Sequence, residues 1–475
     1  PTPSPRDAGT SATPRKAAAI PSLRGPETRL GWSRGALSFG AAATALIVIV
    51  VAATLFSLRG RPSGGVGSGH ANATTTALAQ LGGVNGSVTG GAVMGVSMDS
   101  PTDGWAVGQP GSGSANPTPA GGNTPTTEAV FYHFNGSVWV QAARVATFQS
   151  VTGDGIYLKM LSPSDGWAYD GDNHLLRYDG SAWRAATISL PGATSVYIQS
   201  IAMTSPSLGW AAVNVNAGPT NSGLIRFARY DGAGWTLEPI TNLPTNADTS
   251  QLTIMGISVT PQGDAWAVGA ASPISPIPSA SGIGLVFHRV NGQWVTQAPL
   301  NTPQDTAALN PHGIYMSSPT SGWIVGDVNQ NQTSTEGTTL VTHALLLHYD
   351  GQRWTRVDAP LNTVTQFDSL TQIAGVGPDN IWVSGRGNAG EILPTGGEMS
   401  ALLLHFDGQS WSQVWPDALA TGATGGYVSN SGIDVTADGA LWAVGIVQNS
   451  QSTSWPAFWR YSGGAWSAQP VTSGA

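Results

Sequence analysis

The side chains best suited to chemistry in this 475-residue chain are few and scattered. Glu391 and Glu398 sit in one Gly-rich stretch, and paired carboxylates can hydrolyse glycosides as acid and nucleophile. Spacing within a loop sets no distance between two carboxyls, so solvated carboxylates are expected. Gly385 to Gly390 reads G-x-G-x-x-G, but a dinucleotide site needs a helix to begin there. The chain instead enters an apolar strand, ALLLHFD, and a loop is expected. Asp170-Gly171-Asp172-Asn173 resembles the opening of a Ca²⁺ loop without the remaining ligands, which suggests a polar turn. No G-x-S-x-G, H-E-x-x-H or Walker loop occurs. The absence of cysteine excludes disulfides, thiolate metal sites and thiol nucleophiles. We expect no catalytic residues, no metal and no cofactor.

Aromatic side chains are the alternative route to a ligand. Fourteen of the eighteen tryptophans fall into two repeating columns and are expected in the core, where each buries about 150–250 Å². That area is worth about 4–6 kcal/mol gross, as an upper bound. Trp415, Trp455 and Trp459 stand outside the columns and, with Tyr427, are the candidate ligand-binding residues. Trp455 is assigned to a loop and Trp415 to a link between repeats.

The elements that position these groups follow from a repeat. A strand, a turn and a Trp-containing strand recur seven times, at Trp105, Trp167, Trp210, Trp266, Trp323, Trp382 and Trp442. In six copies the last apolar residue of the first strand stands seven positions before the Trp, and in the sixth copy Val376 stands six before Trp382. A second hairpin follows each time, ending at Trp139, Trp183, Trp235, Trp294, Trp354, Trp411 and Trp466. Six of its turns are Asn-Gly or Asp-Gly, which suit a type I′ corner with positive φ. Two hairpins make a four-stranded meander, and seven meanders predict an all-β, seven-bladed propeller over residues 93–475. Each blade can be one continuous repeat, so closing the ring requires no strand exchange. One column is basic in every copy: His133, Arg177, Arg229, Arg289, His348, His405 and Arg460. Arginine is no metal ligand, so structural ion pairs are expected.

Loops at one end of the blades are short and repetitive. Those at the other end vary, with the longer ones near 109–128, 272–281, 329–339, 386–399 and 448–456. One ligand meets one set of side chains, so the variable face is the expected binding face.

Ala36 to Leu58 is an uncharged run of 23 residues. As a helix it spans roughly 34 Å against a hydrocarbon core of about 30 Å. Six Lys/Arg precede it, and after Arg61 none follows until Arg144. The positive-inside bias therefore predicts a plasma-membrane, single-pass protein with a cytoplasmic N-terminus and an extracytoplasmic propeller. The expected organisation is a disordered basic tail over 1–35, a transmembrane helix over 36–58, a flexible Gly/Ser/Thr-rich stalk over 59–92, and the propeller. Residues 62–475 carry a net charge of −14 with one lysine, which excludes a nucleic-acid footprint.

The sequence D-G-W-A-V-G around Trp105, followed by hairpins of the form D-G-x-x-W, resembles the repeats of the photosystem II assembly and stability factor class. That class lies within the broader Asp-box, or sialidase-type, group. The resemblance spans about residues 93–470 and implies a propeller. His348 to Trp354 departs from the Asp box by lacking its serine and one residue. No sialidase R-I-P segment occurs, so no sialidase residues carry over. The expected function is an anchored module that binds a protein or glycan on the variable face. The alternatives are the sensor domain of a signalling protein whose cytoplasmic effector lies upstream, and a glycan-active hydrolase.

Overall fold

A computed structural model describes residues 91–110, 129–145, 156–170, 174–216, 224–274, 282–297, 300, 307–334, 337–361, 367–388, 399–414, 427–448 and 454–473. All belong to the unit Ser68–Ala475. The expected tail, transmembrane helix and most of the stalk lie outside these residues. Among the described residues no helix is long and apolar enough to cross a membrane.

Seven antiparallel sheets follow one another along the chain as the blades of a propeller. Blade 1 is β1 (Gly91–Ser100), β2 (Asp103–Pro110), β3 (Ala129–Phe134) and β4 (Trp139–Val145). Blade 2 is β5 (Tyr157–Ser162), β6 (Asp165–Tyr169), β7 (Leu175–Tyr178) and β8 (Trp183–Ala186). Blade 3 is β9 (Ser195–Ser205), β10 (Leu208–Asn216), β11 (Leu224–Tyr230) and β12 (Trp235–Glu238). A short β13 (Ile240–Thr241) leads to blade 4: β14 (Ala247–Val259), β15 (Ala265–Pro273), β16 (Ile283–Val290) and β17 (Gln293–Thr296). Blade 5 is β18 (Ala308–Ser318), β19 (Ser321–Ser334), β20 (Gly337–Tyr349) and β21 (Trp354–Arg356). Blade 6 is β22 (Asp368–Gly375), β23 (Ile381–Asn388), β24 (Met399–Phe406) and β25 (Trp411–Gln413). Blade 7 is β26 (Tyr427–Val435), β27 (Leu441–Gln448), β28 (Ser454–Ser462) and β29 (Ala465–Ala468), with β30 (Val471–Thr472) after it.

Eleven of the fourteen column tryptophans are buried, and Trp354, Trp411 and Trp466 are partly so. At four of the seven interfaces the second-strand indole of one blade meets the fourth-strand indole of the next edge-on. Trp105 and Trp183 lie 5.7 Å apart at 82°, and Trp323 and Trp411 lie 5.0 Å apart at 84°. The same contact joins the last blade to the first, Trp442 to Trp139, at 5.8 Å and 79°. Such edge-to-face pairs contribute about 0.5–1.5 kcal/mol beyond their area.

Strand exchange is not required by the repeat count, yet a related device is present. β30 pairs in parallel with β4, and the Trp139 amide donates to the Pro470 carbonyl at 2.9 Å. β13 does the same on β17, with the Trp294 amide donating to Pro239 at 2.9 Å. Both segments follow the pattern W-x-x-x-P-[IV]-T, at Trp235–Thr241 and Trp466–Thr472. That signal was present in the sequence.

Two turn expectations are corrected. The Asn-Gly and Asp-Gly turns of blades 1, 2, 3, 5 and 6 are four-residue connections in which only the Gly has positive φ, near 90°. The preceding carboxylate or amide shapes the turn. Asp179 Oδ1 accepts from the Ser181 and Ala182 amides, each at 2.9 Å, and Asp231 accepts from Ala233 and Gly234. Only blade 4 (Asn291 φ 50°, Gly292 φ 78°) and blade 7 (Gly463 φ 61°, Gly464 φ 81°) have two-residue corners with positive φ at both positions. In blade 6 the first strand ends at Gly375, not Val376, which lies in the turn.

The residue before the second-strand Trp faces the last apolar residue of the first strand. Met98, Met160, Met203 and Met316 each face a glycine, whereas Val259 faces Ala265 and Val435 faces Leu441. A Cβ on Gly209 would stand 2.2 Å from Met203 Sδ. We expect Gly209→Ala to cost about 1–3 kcal/mol by overpacking. Adding Met203→Val should return most of that loss, because blade 4 accommodates the Val–Ala pair. Denaturant midpoints of the two variants check this, and equal losses would refute the pairing. We also expect Val471→Asp, at a fully buried β30 position, to cost about 3 kcal/mol or more, whereas the exposed Val290→Asp should change stability little. Equal midpoints for these two would show that β30 does not hold the ring.

Candidate binding face and axial channel

The first strand of every blade faces the ring axis. Together they enclose a channel of about 250 Å³ with Gly95, Gly256, Gly313 and Gly432 in its wall. A Cβ on Gly432 would lie 2.8 Å from the Met94 carbonyl in the adjoining blade, so the close approach requires glycine. The first strands depart from regular register next to these positions. Polar groups near the axis are used between blades. Tyr157 Oη accepts from the Met203 amide at 2.9 Å, and Gln199 Oε1 from the Ile254 amide at 2.9 Å. Gln372 Nε2 donates to the Ser431 carbonyl at 2.7 Å, and Asp434 Oδ2 accepts from the Met98 amide at 2.8 Å. Burial pushes the Tyr157 phenol well above its ordinary range. The channel is thus a seam between blades more than a basin for a ligand.

In blades 1, 2 and 7 the basic column makes ion pairs within the blade. His133 lies 3.3 Å from Asp103 and stacks on Trp105 at 4.7 Å. Arg177 pairs with Asp165 at 2.9 Å and lies over Trp167, while Arg460 pairs with Asp438 at 3.0 Å and lies over Trp442. Burial lowers the pKa of His348 and His405. In blade 4 the residue facing the Trp is His288, not Arg289, because the two-residue turn shifts the register by one position. His288 stacks on Trp266 at 3.9 Å and bonds Asp264 at 2.8 Å. Arg289 instead reaches blade 3, where the buried Glu238 accepts from it at 2.6 and 2.8 Å and from Trp294 Nε1 at 3.0 Å.

Of the candidate binding residues, Trp455 and Trp459 are corrected. Trp455 is in β28, not a loop, paired with Val447 and 1% exposed. Trp459 is fully buried in the same cluster. Side chains without exposed surface pack the core and present nothing to a ligand. Tyr427 opens β26 opposite Gln448, and its side chain lies outside the described residues, as does Trp415. Glu391 and Glu398 also lie outside them. Gly385 to Asn388 is strand, not loop. Asp170 is buried and holds its own turn, accepting from the His174 amide at 3.0 Å.

The variable face holds what sequence reasoning missed. The stretch expected as a loop near 329–339 is a hairpin: β19 and β20 stay paired from Gly322 opposite Tyr349 to Ser334 opposite Gly337. Leu340 on this ribbon is 59% exposed. Tyr197, Leu224 and Ile274, at the same end of blades 3 and 4, are 46–53% exposed. At the root of the ribbon, Asp327 accepts from Asn310 at 2.8 Å and Ser369 at 3.0 Å, with His312 at 3.3 Å. Ser369 directs its hydroxyl to the carboxylate and not to an imidazole, so this set ties blade 5 to blade 6 and does not activate a nucleophile. Neither the ribbon nor the cluster has a local motif.

No protein-family model matches the chain, and no curated protein matches it. Solved structures do. A structure described as YCF48 bound to D1 peptide is similar at 14% identity over 81% of this chain and 93% of that one, with a TM-score of 0.42. YCF48 from Cyanidioschyzon merolae is similar at 14% identity over 67% and 96%, with a TM-score of 0.34. A polysaccharide lyase described as an ulvan lyase is similar at 10% identity over 79% and 94%, with a TM-score of 0.46.

On the short-turn face, burial and the nearby Asp103 raise the Asp99 pKa to about 6. The folded state then holds this proton more tightly than the unfolded chain. The penalty is absent below the ordinary value of 3.8 and complete above about 6. We expect Asp99→Asn to raise stability at pH 8 by on the order of 1 kcal/mol, after discounting for solvent exposure, and to leave it unchanged near pH 3. Urea midpoints across pH check this; a pH-independent difference would refute it.

Proposed function

We propose that this chain is a membrane-anchored binding module whose propeller stands outside the membrane and takes a protein or glycan on the face of the variable loops. One observation carries the reading: that face breaks the sevenfold repetition. The β19–β20 ribbon rises from blade 5, and exposed Tyr197, Leu224, Ile274 and Leu340 accompany it on blades 3 to 5. These four are half of the exposed large apolar side chains among the described residues, and exposed apolar groups suit association better than solvation. The opposite face consists of short turns, five of which are held by their own Asp or Asn side chains. Anchoring is supported by the uncharged run Ala36–Leu58 and the basic residues before it. The reading is of a binder and not an enzyme, because the polar clusters near the axis are used to join blades.

The chain contains no cysteine, so single cysteines are clean probes. Cysteine replaces Leu340 or Ile274 on the variable face, and Val290 or Val376 on the short-turn face. In intact cells of the native host, a membrane-impermeant maleimide should modify all four variants. Detergent extraction should raise labelling only at Leu340→Cys and Ile274→Cys, as the partner leaves. Labelling that requires lysis would sink the extracytoplasmic location. Equal protection of both faces would sink the assignment of the binding face.

A further inference from the structure

Each second-strand tryptophan has an imidazole or guanidinium against its ring, and the partner of that group sorts the seven seams between blades. At five seams the partner is a carboxylate. His133 bonds Asp103 between blades 1 and 2, and Arg177 bonds Asp165 between blades 2 and 3. Arg289, which lies over Trp210, bonds Glu238 between blades 3 and 4. His288 bonds Asp264 between blades 4 and 5, and Arg460 bonds Asp438 between blades 7 and 1. The two seams of blade 6 differ. His348 lies 4.5 Å from Trp323, whose ring meets Phe406 and Trp411 of blade 6. His405 stacks on Trp382 at 4.0 Å, and Trp382 meets Tyr461 of blade 7. The ion-paired histidines among the described residues are His133, His174, His288 and His312, so neither of these two has a carboxylate partner.

Blades 4 and 6 form a matched pair that isolates the difference. In blade 4, Asp264 accepts from Trp266 Nε1 at 2.7 Å and from His288 Nε2 at 2.8 Å. In blade 6, Asn380 Oδ1 accepts from Trp382 Nε1 and from His405 Nε2, both at 2.9 Å. The stacks are alike, at 3.9 Å and 11° in blade 4 and 4.0 Å and 18° in blade 6. One charge separates the two sites: a carboxylate balances an imidazolium, and an amide does not. Burial is the leading effect on His348 and His405 and lowers the pKa of both, against the opposing carboxylates of Asp350 and Asp407. A cleft of about 280 Å³ opens beside His405, and Asp379 and Asp438 also line it. Asp438 is engaged there by Arg460. At the far end of the seam between blades 5 and 6, His312 has the Asp327 carboxylate at 3.3 Å.

We propose that protonation of His348 and His405 loosens blade 6 from both of its neighbours and makes it the acid-sensitive unit of the ring. With folded-state values below the ordinary 6.5, both imidazoles contribute stability that is complete above 6.5 and is lost as pH falls through those values. The other five seams keep a carboxylate for the cation. Ser369 of blade 6 bonds Asp327 at the root of the β19–β20 ribbon, so the response reaches the variable face. The inference rests on the seams and not on what that face binds.

Hydrogen exchange read by mass spectrometry on the full chain in nanodiscs tests this, at about pH 5 and about pH 8 with exposure times scaled to the intrinsic rate. For each strand the measured quantity is the ratio of protection at the two pH values, which removes any pH-independent loss in a variant. In wild type the acid-to-neutral ratio for β23 and β24 should fall at least about threefold below that for β15 and β16. Asn380→Asp should bring the β23 ratio back toward that of β15, and Asp264→Asn should give β15 the acid response. Replacing both imidazoles, His348→Gln with His405→Gln, should abolish the response while His312 remains. The Asp264→Asn arm reports even if a change in blade 6 does not fold. Equal ratios in the two blades of wild type, a β23 ratio that Asn380→Asp leaves unchanged, a blade 4 indifferent to Asp264→Asn, or an acid response that survives the loss of both imidazoles would each overturn the proposal.

Discussion

The burial of a second-strand tryptophan in every blade, between that blade and its neighbour, is the interaction on which the rest of this structure depends. A four-stranded blade has two apolar faces and cannot bury either alone. Each indole of the second strand fills the wedge that two twisted sheets leave between them. Its ring is sandwiched in turn by an imidazole or guanidinium of its own blade in blades 1, 2, 4 and 7. The ion pairs of the basic column hold those rings in place, so the column serves packing through electrostatics. The contact at Trp442 and Trp139 gives the closing interface the same edge-to-face pair as the interfaces of blades 1 and 2, 4 and 5, and 5 and 6.

That repetition separates the labour of the two faces. On one, an Asp or Asn side chain gripping two amides defines five of the seven turns between third and fourth strands, which leaves little room for variation without loss of the hairpin. On the other, strand length is not fixed by the wedge, and β19 and β20 extend to 14 and 13 residues. The polar cluster at Asp327 ties the root of the ribbon to blade 6.

Much of the fold was legible in the sequence because propeller packing demands the same large residue at the same place in every blade. The columns of tryptophan therefore announced both the blade count and the core. Register was less legible. Val376 and Arg289 were assigned by alignment of their neighbours, yet one residue more or less in a turn moves a side chain to the other face. The binding residues were least legible. Trp455 and Trp459 departed from the columns, which suggested exposure, but a third-strand position next to the closing interface is as apolar as any other. The ribbon of blade 5 is polar and rich in Thr, Asn and Gln, and its pairing depends on alternation too weak to separate from a loop.

The two W-x-x-x-P-[IV]-T segments have a meaning beyond closure. One fastens blade 3 to blade 4, where the chain is continuous, and the other fastens blade 7 to blade 1, where it is not. The same parallel pair of residues and the same proline carbonyl are used at both. The topology of the backbone and the topology of the fastening are thus independent. A circularly permuted chain, cut between blades 3 and 4 and joined between 7 and 1, would present its new end with the clasp already in place. The position of the termini is, in that sense, a property of the gene and not of the ring.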